Sequence, residues 1–474
     1  MNKITFSSID LFLFAAYFGL VIFLGIRAGK KKNDTAESYF LAGRRLTIPG
    51  FVATLVATWY GGILGIGEYS YQNGLSTWIV LGLPYYLFAA IFAVFLSKRI
   101  REGNSLTVPE MLYENFGKAS GLFGGLLIFI ITSPAAYVLM LGVLLNLLFG
   151  WGLGLSILIG AIFSMVYVFS GGFHAIVATD KLQFIFMFIG FGLLLPFAMN
   201  EYGGLEFLTS NLPSQHMTLV GGKSFSYIIV WFFIALWTIV DPSFHQRCAA
   251  AKSPSIARKG IFISIAFWFL FDLMTVSAGL YARAVLPDIE PLQAYPLLAE
   301  LLLPPFIKGI FFIGLLSTIM STIDSLALIS GVTISKDIIG RLGKNVSLDI
   351  NIYHLRLGVI ATFFIALIIA YFLPSVVGIW YTFGSLFIPA LLIPVVTSYF
   401  PRTKLNGLST FLLMLLPFAA ATIQLTLGYL NGSQADPLYP FEIEPIFPGL
   451  ALSSILYLLF LLKNRSSFNM EPRG

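Results

Sequence analysis

Charge is what this chain has least of. Only 11% of its 474 residues are Asp, Glu, Lys or Arg, where soluble globular domains carry about a quarter, so an ordinary water-soluble fold is excluded. Cysteine occurs once, as Cys248, which rules out a disulfide framework and any cysteine cluster for zinc. The four histidines are scattered and form no metal signature. HExxH, a nucleophile elbow and the P-loop pattern are all missing, so nothing supports an enzyme and no catalytic residue is assigned. Ser/Gly-rich linkers, low-complexity tracts and a separate soluble module are lacking as well, and residues 1–474 read as one multi-pass body.

What fills the chain is apolar. Hydrophobic residues make up 58% and mean hydropathy is +0.88. Continuous apolar runs reach the roughly 20 residues that a helix needs to cross the hydrocarbon core, and a barrel's short alternating segments are not seen. The fold class expected is all-α integral membrane, with about 13 transmembrane helices. Spans are placed near 9 to 26, 49 to 73, 76 to 97, 120 to 149, 152 to 170, 174 to 199, 225 to 246 and 259 to 283, then near 305 to 335, 353 to 373, 375 to 399, 407 to 430 and 445 to 462.

The net charge of +6 gains meaning from its placement. Segments 27–48, 98–119, 247–259, 336–356, 400–406 and the tail after Leu462 hold 23 of the 28 Lys and Arg. Lys3, Lys223, Arg283 and Lys308 fall on the other side, and Lys181 lies inside a span. Cytoplasmic loops collect Lys and Arg, so the N-terminus is expected outside and the C-terminus in the cytoplasm, as an odd span count requires. Such placement points to a lipid bilayer and not to nucleic acid. The first span is read as a retained helix, because its basic cluster, RAGKKK from Arg27, follows the apolar run and no small-residue cleavage site is evident.

Ionisable groups at bilayer depth are costly and mark functional sites by default. They are Glu68, Asp180, Lys181, Asp241, His245, Asp272 and Asp324. Positions near span ends leave an interfacial role open for Glu68, Lys181 and Asp241, and favour it for His245. Asp272 and Asp324 are deeper.

Two stretches stand out. Around Trp59 and Tyr60, ATWYGGILGIG is punctuated by glycines that each cost a helix about 1 kcal/mol relative to alanine. A break near Thr58 to Gly62 would line a cavity, since irregular backbone at membrane depth survives only there, while close helix packing by small residues is the alternative. In GLLSTIMSTIDSLALISG, residues Thr318, Ser321, Thr322 and Ser325 follow i, i+3, i+4, i+7 spacing and form one stripe. Neutral oxygens suit a hard monovalent cation. Hydroxyl stripes also glue helices together, and geometry alone leaves both readings open.

Four motifs together resemble the sodium:solute symporters, the family of bacterial sodium/proline, pantothenate and sialic acid transporters and animal glucose and choline transporters. They are YFLAGRRL with the following ATWYGG, then GGFHAIVATDKLQ, HQRCAAAKSPSIARKG and STIMSTIDSLALISGVTISKDI, running from Tyr39 to Ile338. The resemblance implies a single multi-pass transporter domain. In it an extra N-terminal helix (9–26) precedes a ten-helix core of two inverted five-helix repeats (49–399), with broken first and sixth core helices, and two C-terminal helices (407–462) follow. It further implies Na⁺ as the coupling ion and the one metal, held by backbone carbonyls of Ala57, Tyr60 and Thr318 and hydroxyls of Ser321 and Thr322. Thr318 stands where the family usually has alanine. Some relatives hold a second cation, which would correspond here to Asp180, Ser321 and Ser325, with Asp324 in the place of a serine. Asp324 is then a stronger cation ligand, a proton-titrating acid or the partner of a group such as Lys181.

The resemblance places the solute among core helices one, two, three, six, seven and ten. Candidates are Trp59, Tyr60, Glu68, Tyr85, Tyr86, Tyr137, Trp231, Trp237, Asp241 and Trp380. Aromatics are 16% of the chain, so packing and interface belts compete with ligand contact at each. Similarity of ATWYGG to the choline transporters suggests an aromatic cage for an ammonium, and a carboxylate such as Glu68 or Asp241 would favour a cationic or zwitterionic solute. The function expected is sodium-coupled import of a small organic solute in the cell (inner) membrane. A proton-coupled carrier using Asp180 or Asp324, and a solute sensor module, are the alternatives; the short tail after Leu462 weighs against the sensor. Oligomeric state is not addressed by the sequence.

Overall fold

The computed structural model describes residues 4–29, 35–168, 172–342, 352–433 and 436–468. Lys3, the lysines at 30–32, Lys344, Arg473 and the end of the span expected at 152 to 170 lie outside them. Among the described residues there is no strand; helices dominate, and twelve are long and apolar enough to cross a membrane. Where the thirteenth was expected, a shorter helix runs over Leu153–Val168.

In chain order the long elements begin with α1 (Ser8–Gly29), α2 (Ile48–Trp59), α3 (Ile63–Asn73) and α4 (Leu83–Phe95, entered through a π-helical turn at Trp78–Gly82). Next come α5 (Val108–Ile131), α6 (Ala135–Phe149), α7 (Leu153–Val168), α8 (Gly172–Tyr202), α9 (Phe225–Ile234), α10 (Pro242–Ala250) and α11 (Pro254–Val285). The last are α12 (Ile307–Val332), α13 (Ile352–Phe372), α14 (Val376–Ser398), α15 (Gly407–Asn431) and α16 (Ile446–Phe468). Residues 98–119, expected as a loop, already carry helix: Ser97–Glu102 and the start of α5, which bends at Gly117 where φ is +84°. Helical N–H groups satisfy themselves locally, so an amphiphilic segment at the interface stays helical outside the apolar run.

Two spans are interrupted. Between α2 and α3 the chain tightens into a 3₁₀ turn, Tyr60–Gly62. Between α9 and α10 it passes through a four-residue helix, Trp237–Val240, and then an extended residue, Asp241 (φ −63°, ψ 115°). Asp241 caps α10, accepting from the N–H groups of Ser243 (2.6 Å) and Phe244 (3.3 Å), with Pro242 at the first helical position where no N–H is needed.

α12 is the axle of the molecule. It is buried on all sides, so several of its hydroxyls meet protein partners on neighbouring helices. Its main partner is α8, where Gly190 and Gly314 bring the backbones together: a Cβ on Gly314 would stand 2.8 Å from the Phe186 carbonyl. The helix α1 packs on both. Asp10 caps the start of α12 by accepting from Phe306 N (2.9 Å) and Gly309 N (3.0 Å), and the Tyr17 hydroxyl accepts from Ser317 Oγ (2.9 Å). These contacts hold α12 against α1, and the oxygen stripe on it meets the break after α2.

Candidate functional site

The stripe and the break are in direct contact. Because α2 stops at Trp59, the carbonyls of Ala57 and Thr58 have lost part of their helical ladder. Ser321 Oγ lies 3.0 Å from the Ala57 carbonyl and 2.9 Å from that of Thr318, and Thr322 Oγ1 donates to the Thr58 carbonyl at 2.6 Å. Glycine is required at the crossing. A Cβ on Gly61 would fall 1.8 Å from Thr322 Oγ1, and one on Gly62 would fall 2.1 Å from the Trp380 ring. Thus Ala57, Thr318, Ser321 and Thr322 converge, with Thr58 added to the expected set and Tyr60 beginning the 3₁₀ turn beside them. All the oxygens are neutral, and Ser321 and Thr318 are fully buried. Such a set matches a hard monovalent cation held weakly enough to leave.

One turn away lies a buried charged group that the sequence reading counted as a loop cation. Arg247, on α10, is fully buried. Its NH2 nitrogen donates to Thr58 (2.7 Å), Ser325 (2.8 Å) and Thr54 (3.0 Å) hydroxyls and stands 4.0 Å from Asp180. Its guanidinium also faces the Phe173 ring at 5.3 Å. Asp180 in turn accepts from Thr54. Asp180 and Ser325, both expected at a second cation site, therefore surround a cation that the chain itself supplies. Asp324 is buried on the same helix, and Lys181 is exposed. His245, expected at the interface, is buried between the Tyr399 hydroxyl (2.9 Å) and the Ile239 carbonyl (3.0 Å).

Beside the seam opens a cavity with an empty volume of about 1140 Å³, the space at its mouth included. Thr58, Thr322 and Tyr60 form part of its wall, so seam and cavity share residues. The other lining groups include Trp59, Tyr85, Tyr86, Tyr137, Trp237, Asp241, Trp268, Asp272, Trp380 and Phe383. Trp59 is the hub, edge-on to Tyr85 at 5.4 Å and tilted against Trp268 at 5.8 Å, while Trp237 stacks on Phe383 at 6.4 Å. Two sequence candidates are elsewhere. Glu68 is not among the lining residues, and Trp231 packs between Tyr69 and Tyr381. Among the aromatic and acidic lining groups, three were not expected in the pocket from sequence: Trp268, Phe383 and Asp272. Trp268 and Asp272 are four apart on α11 and share a face, a signal that FWFLFDLM contained.

A broken helix meeting a hydroxyl stripe, beside a cavity that shares residues with both, is a geometry suited to transport, and the comparisons agree with it. The model of the sodium:solute symporter family matches residues 39–408. This chain belongs to the sodium:solute symporter family. The high-affinity proline transporter PutP of Bacillus subtilis is 27% identical over 89% of this chain and 92% of its own length. The sodium/pantothenate symporter of Haemophilus influenzae is 28% identical over 68% of this chain and 69% of its own. The high-affinity choline transporter 1 of Drosophila melanogaster is 25% identical over 77% of this chain, and the match spans 62% of that longer protein. Among solved structures, a Na⁺-coupled sialic acid symporter in its substrate-bound outward-open state superposes with a TM-score of 0.79, at 16% identity, over 97% of this chain and 98% of that one. Mhp1 in its inward-facing conformation gives 0.53, at 14% identity, over 88% and 91%. The fold is thus that of the inverted-repeat transporters. The symporter is a multi-pass membrane protein, and its relatives are transporters, not enzymes.

Proposed function

We propose that this symporter uses the inward sodium gradient to import a small organic solute by alternating access. The observation that carries the reading is the pair of hydroxyls, Ser321 and Thr322, bonded across to the Ala57 and Thr58 carbonyls at the break in α2. Sodium entering between them would be held by carbonyls of Ala57, Tyr60 and Thr318 and by both hydroxyls. It would pin α2 to α12 while Trp59 and Tyr60, on the neighbouring turn, line the solute cavity. Each ligand then favours the arrangement that binds the other, which is reciprocal coupling. Rocking of one helical bundle against the other would release both to the cytoplasm. The membrane is the cell (inner) membrane, with the N-terminus outside and the C-terminus in the cytoplasm, as the placement of Lys and Arg supports. In this reading Asp180 and Ser325 are held by Arg247 and do not need a second ion.

The cavity chemistry supports a cationic or zwitterionic solute. Among the described residues, its lining offers aromatic rings and two carboxyl groups and has no Lys, Arg or His. That is compatible with the choline transporter of the fly as a relative.

A ligand-library thermal-shift screen of purified protein with and without sodium would name the solute, because a bound ligand stabilises the folded state by mass action. With the solute in hand, uptake into proteoliposomes should follow an imposed sodium gradient and persist across pH 6 to 8 without a proton gradient. Uptake that a proton gradient drives in sodium-free buffer would point to the proton-coupled carrier instead. Ser321→Ala or Thr322→Ala should raise the half-saturating sodium concentration about tenfold or more, the equivalent of about 1.4 kcal/mol. Unchanged sodium dependence in both would reject the assigned ion site.

A further inference from the structure

The two carboxyl groups that line the cavity are not equivalent. Asp241 is spent on structure: Oδ1 accepts from the N–H groups of Ser243 and Phe244, and Oδ2 from the Trp237 indole at 3.0 Å. Asp272 makes no such backbone cap. It projects from the middle of α11 and accepts from two phenols, Tyr60 on Oδ1 and Tyr86 on Oδ2. Tyr60 is steadied in turn by the Thr275 hydroxyl at 3.2 Å. The second core helix makes room for this arrangement, since a Cβ on Gly82 would stand 2.9 Å from Asp272 Oδ2.

Phenols lend hydrogen bonds but no positive charge. Among the described residues no Lys, Arg or His forms an ion pair with Asp272. The buried Arg247 pairs with Asp180. Asp272 is only 6% exposed, and a buried carboxylate without a counter-charge is expensive unless something supplies one. Each oxygen accepts from one phenol and has capacity to accept again, and Asp272 is one of the residues that line the cavity. The same cavity is lined by Trp59, Trp237, Trp268 and Trp380, and indole rings attract a desolvated alkylammonium. A solute that is only an anion would bring like charge to Asp272.

We infer that Asp272 is the anionic anchor of the solute site, oriented by Tyr60 and Tyr86, and that it selects solutes carrying an alkylammonium group. The inference rests on the reading of this cavity as the solute site of a sodium-coupled importer. It also links the ion to the solute: Tyr60 belongs to the break that the sodium would organise and holds Asp272 through its hydroxyl.

The test uses purified full-length protein in sodium buffer, with tetramethylammonium as probe and tert-butyl alcohol as its neutral counterpart of equal heavy-atom number. Tetramethylammonium should raise the melting temperature in a saturable way, and tert-butyl alcohol at the same concentrations should not. Asp272→Asn should weaken tetramethylammonium at least about tenfold and leave half-saturation by sodium within about twofold. Tyr86→Phe, which keeps the carboxyl group but frees it, should give an intermediate loss. Equal responses to both probes would overturn the inference, as would tetramethylammonium binding that is unchanged in Asp272→Asn, or its absence from a protein that still binds sodium. Failure of the wild-type protein to bind sodium would instead reject the symport reading. If Asp272→Asn does not fold, the wild-type probe pair and Tyr86→Phe decide the matter.

Discussion

Arg247→Leu is expected to destabilise the protein by about 3–5 kcal/mol and to abolish uptake. The substitution removes hydrogen bonds to the Thr54, Thr58 and Ser325 hydroxyls, to the Ser243 carbonyl and to the Gln246 side chain, and leaves Asp180 in the interior with the Thr54 hydroxyl as its donor. A well-packed leucine recovers some apolar contact against Phe173, but removing one partner of a buried pair costs far more than the pair contributes. The double variant Arg247→Leu/Asp180→Asn should therefore recover most of the melting temperature, because no uncompensated charge remains. Thermal unfolding of the three proteins in detergent checks this. A double variant no more stable than Arg247→Leu would mean that Asp180 is not the group the guanidinium neutralises.

Gly61→Ala should cost nearly all sodium-dependent uptake. In a free helix this change would be worth about 1 kcal/mol in favour of alanine. Here the new Cβ would sit 1.8 Å from Thr322 Oγ1 and 2.4 Å from its Cβ. A change of rotamer at Thr322 moves Oγ1 but not Cβ, and the residue is buried, so the clash with Cβ stays. Overpacking typically costs about 1–3 kcal/mol, and relieving it means parting α2 from α12 at the ion seam. Gly192→Ala, whose Cβ would meet only Met274 at 3.6 Å, is the matched control and should transport normally. Uptake by Gly61→Ala within about twofold of wild type would show that the seam tolerates separation.

Much of this molecule is legible in its sequence, for reasons that can be stated residue by residue. Apolar runs of membrane length place the spans, because lipid leaves helices no alternative partner for their backbone. The glycine-rich stretch after Trp59 marks the first break, and the spacing of Thr318, Ser321, Thr322 and Ser325 is enough to put their oxygens on one helical face. The resemblance to a known family then turned an oxygen stripe into an expected ion site, which helical periodicity alone left undecided.

Other features were hidden because they depend on where a broken helix points. Arg247 looked like one more cytoplasmic loop cation, since Lys252, Arg258 and Lys259 follow it closely. Asp241 ends one helix and starts another, turning residues 242–250 into the protein, and burial of Arg247 and His245 follows from that turn. Glu68 is a reasonable pocket acid by sequence position, yet it is not among the residues that line the cavity. Asp272 was visible as a charge in an apolar run, but its meaning required Tyr60 and Tyr86, which lie 212 and 186 residues away.

The symport reading stands or falls on sodium at the α2–α12 seam, and binding of ²²Na⁺ to the purified protein without solute measures that directly. Saturable binding with one ion per protein in the wild type, lost or weakened about tenfold or more in Ser321→Ala and Thr322→Ala, is the expected result. Binding of undiminished affinity in both variants, or none in the wild type, would contradict it.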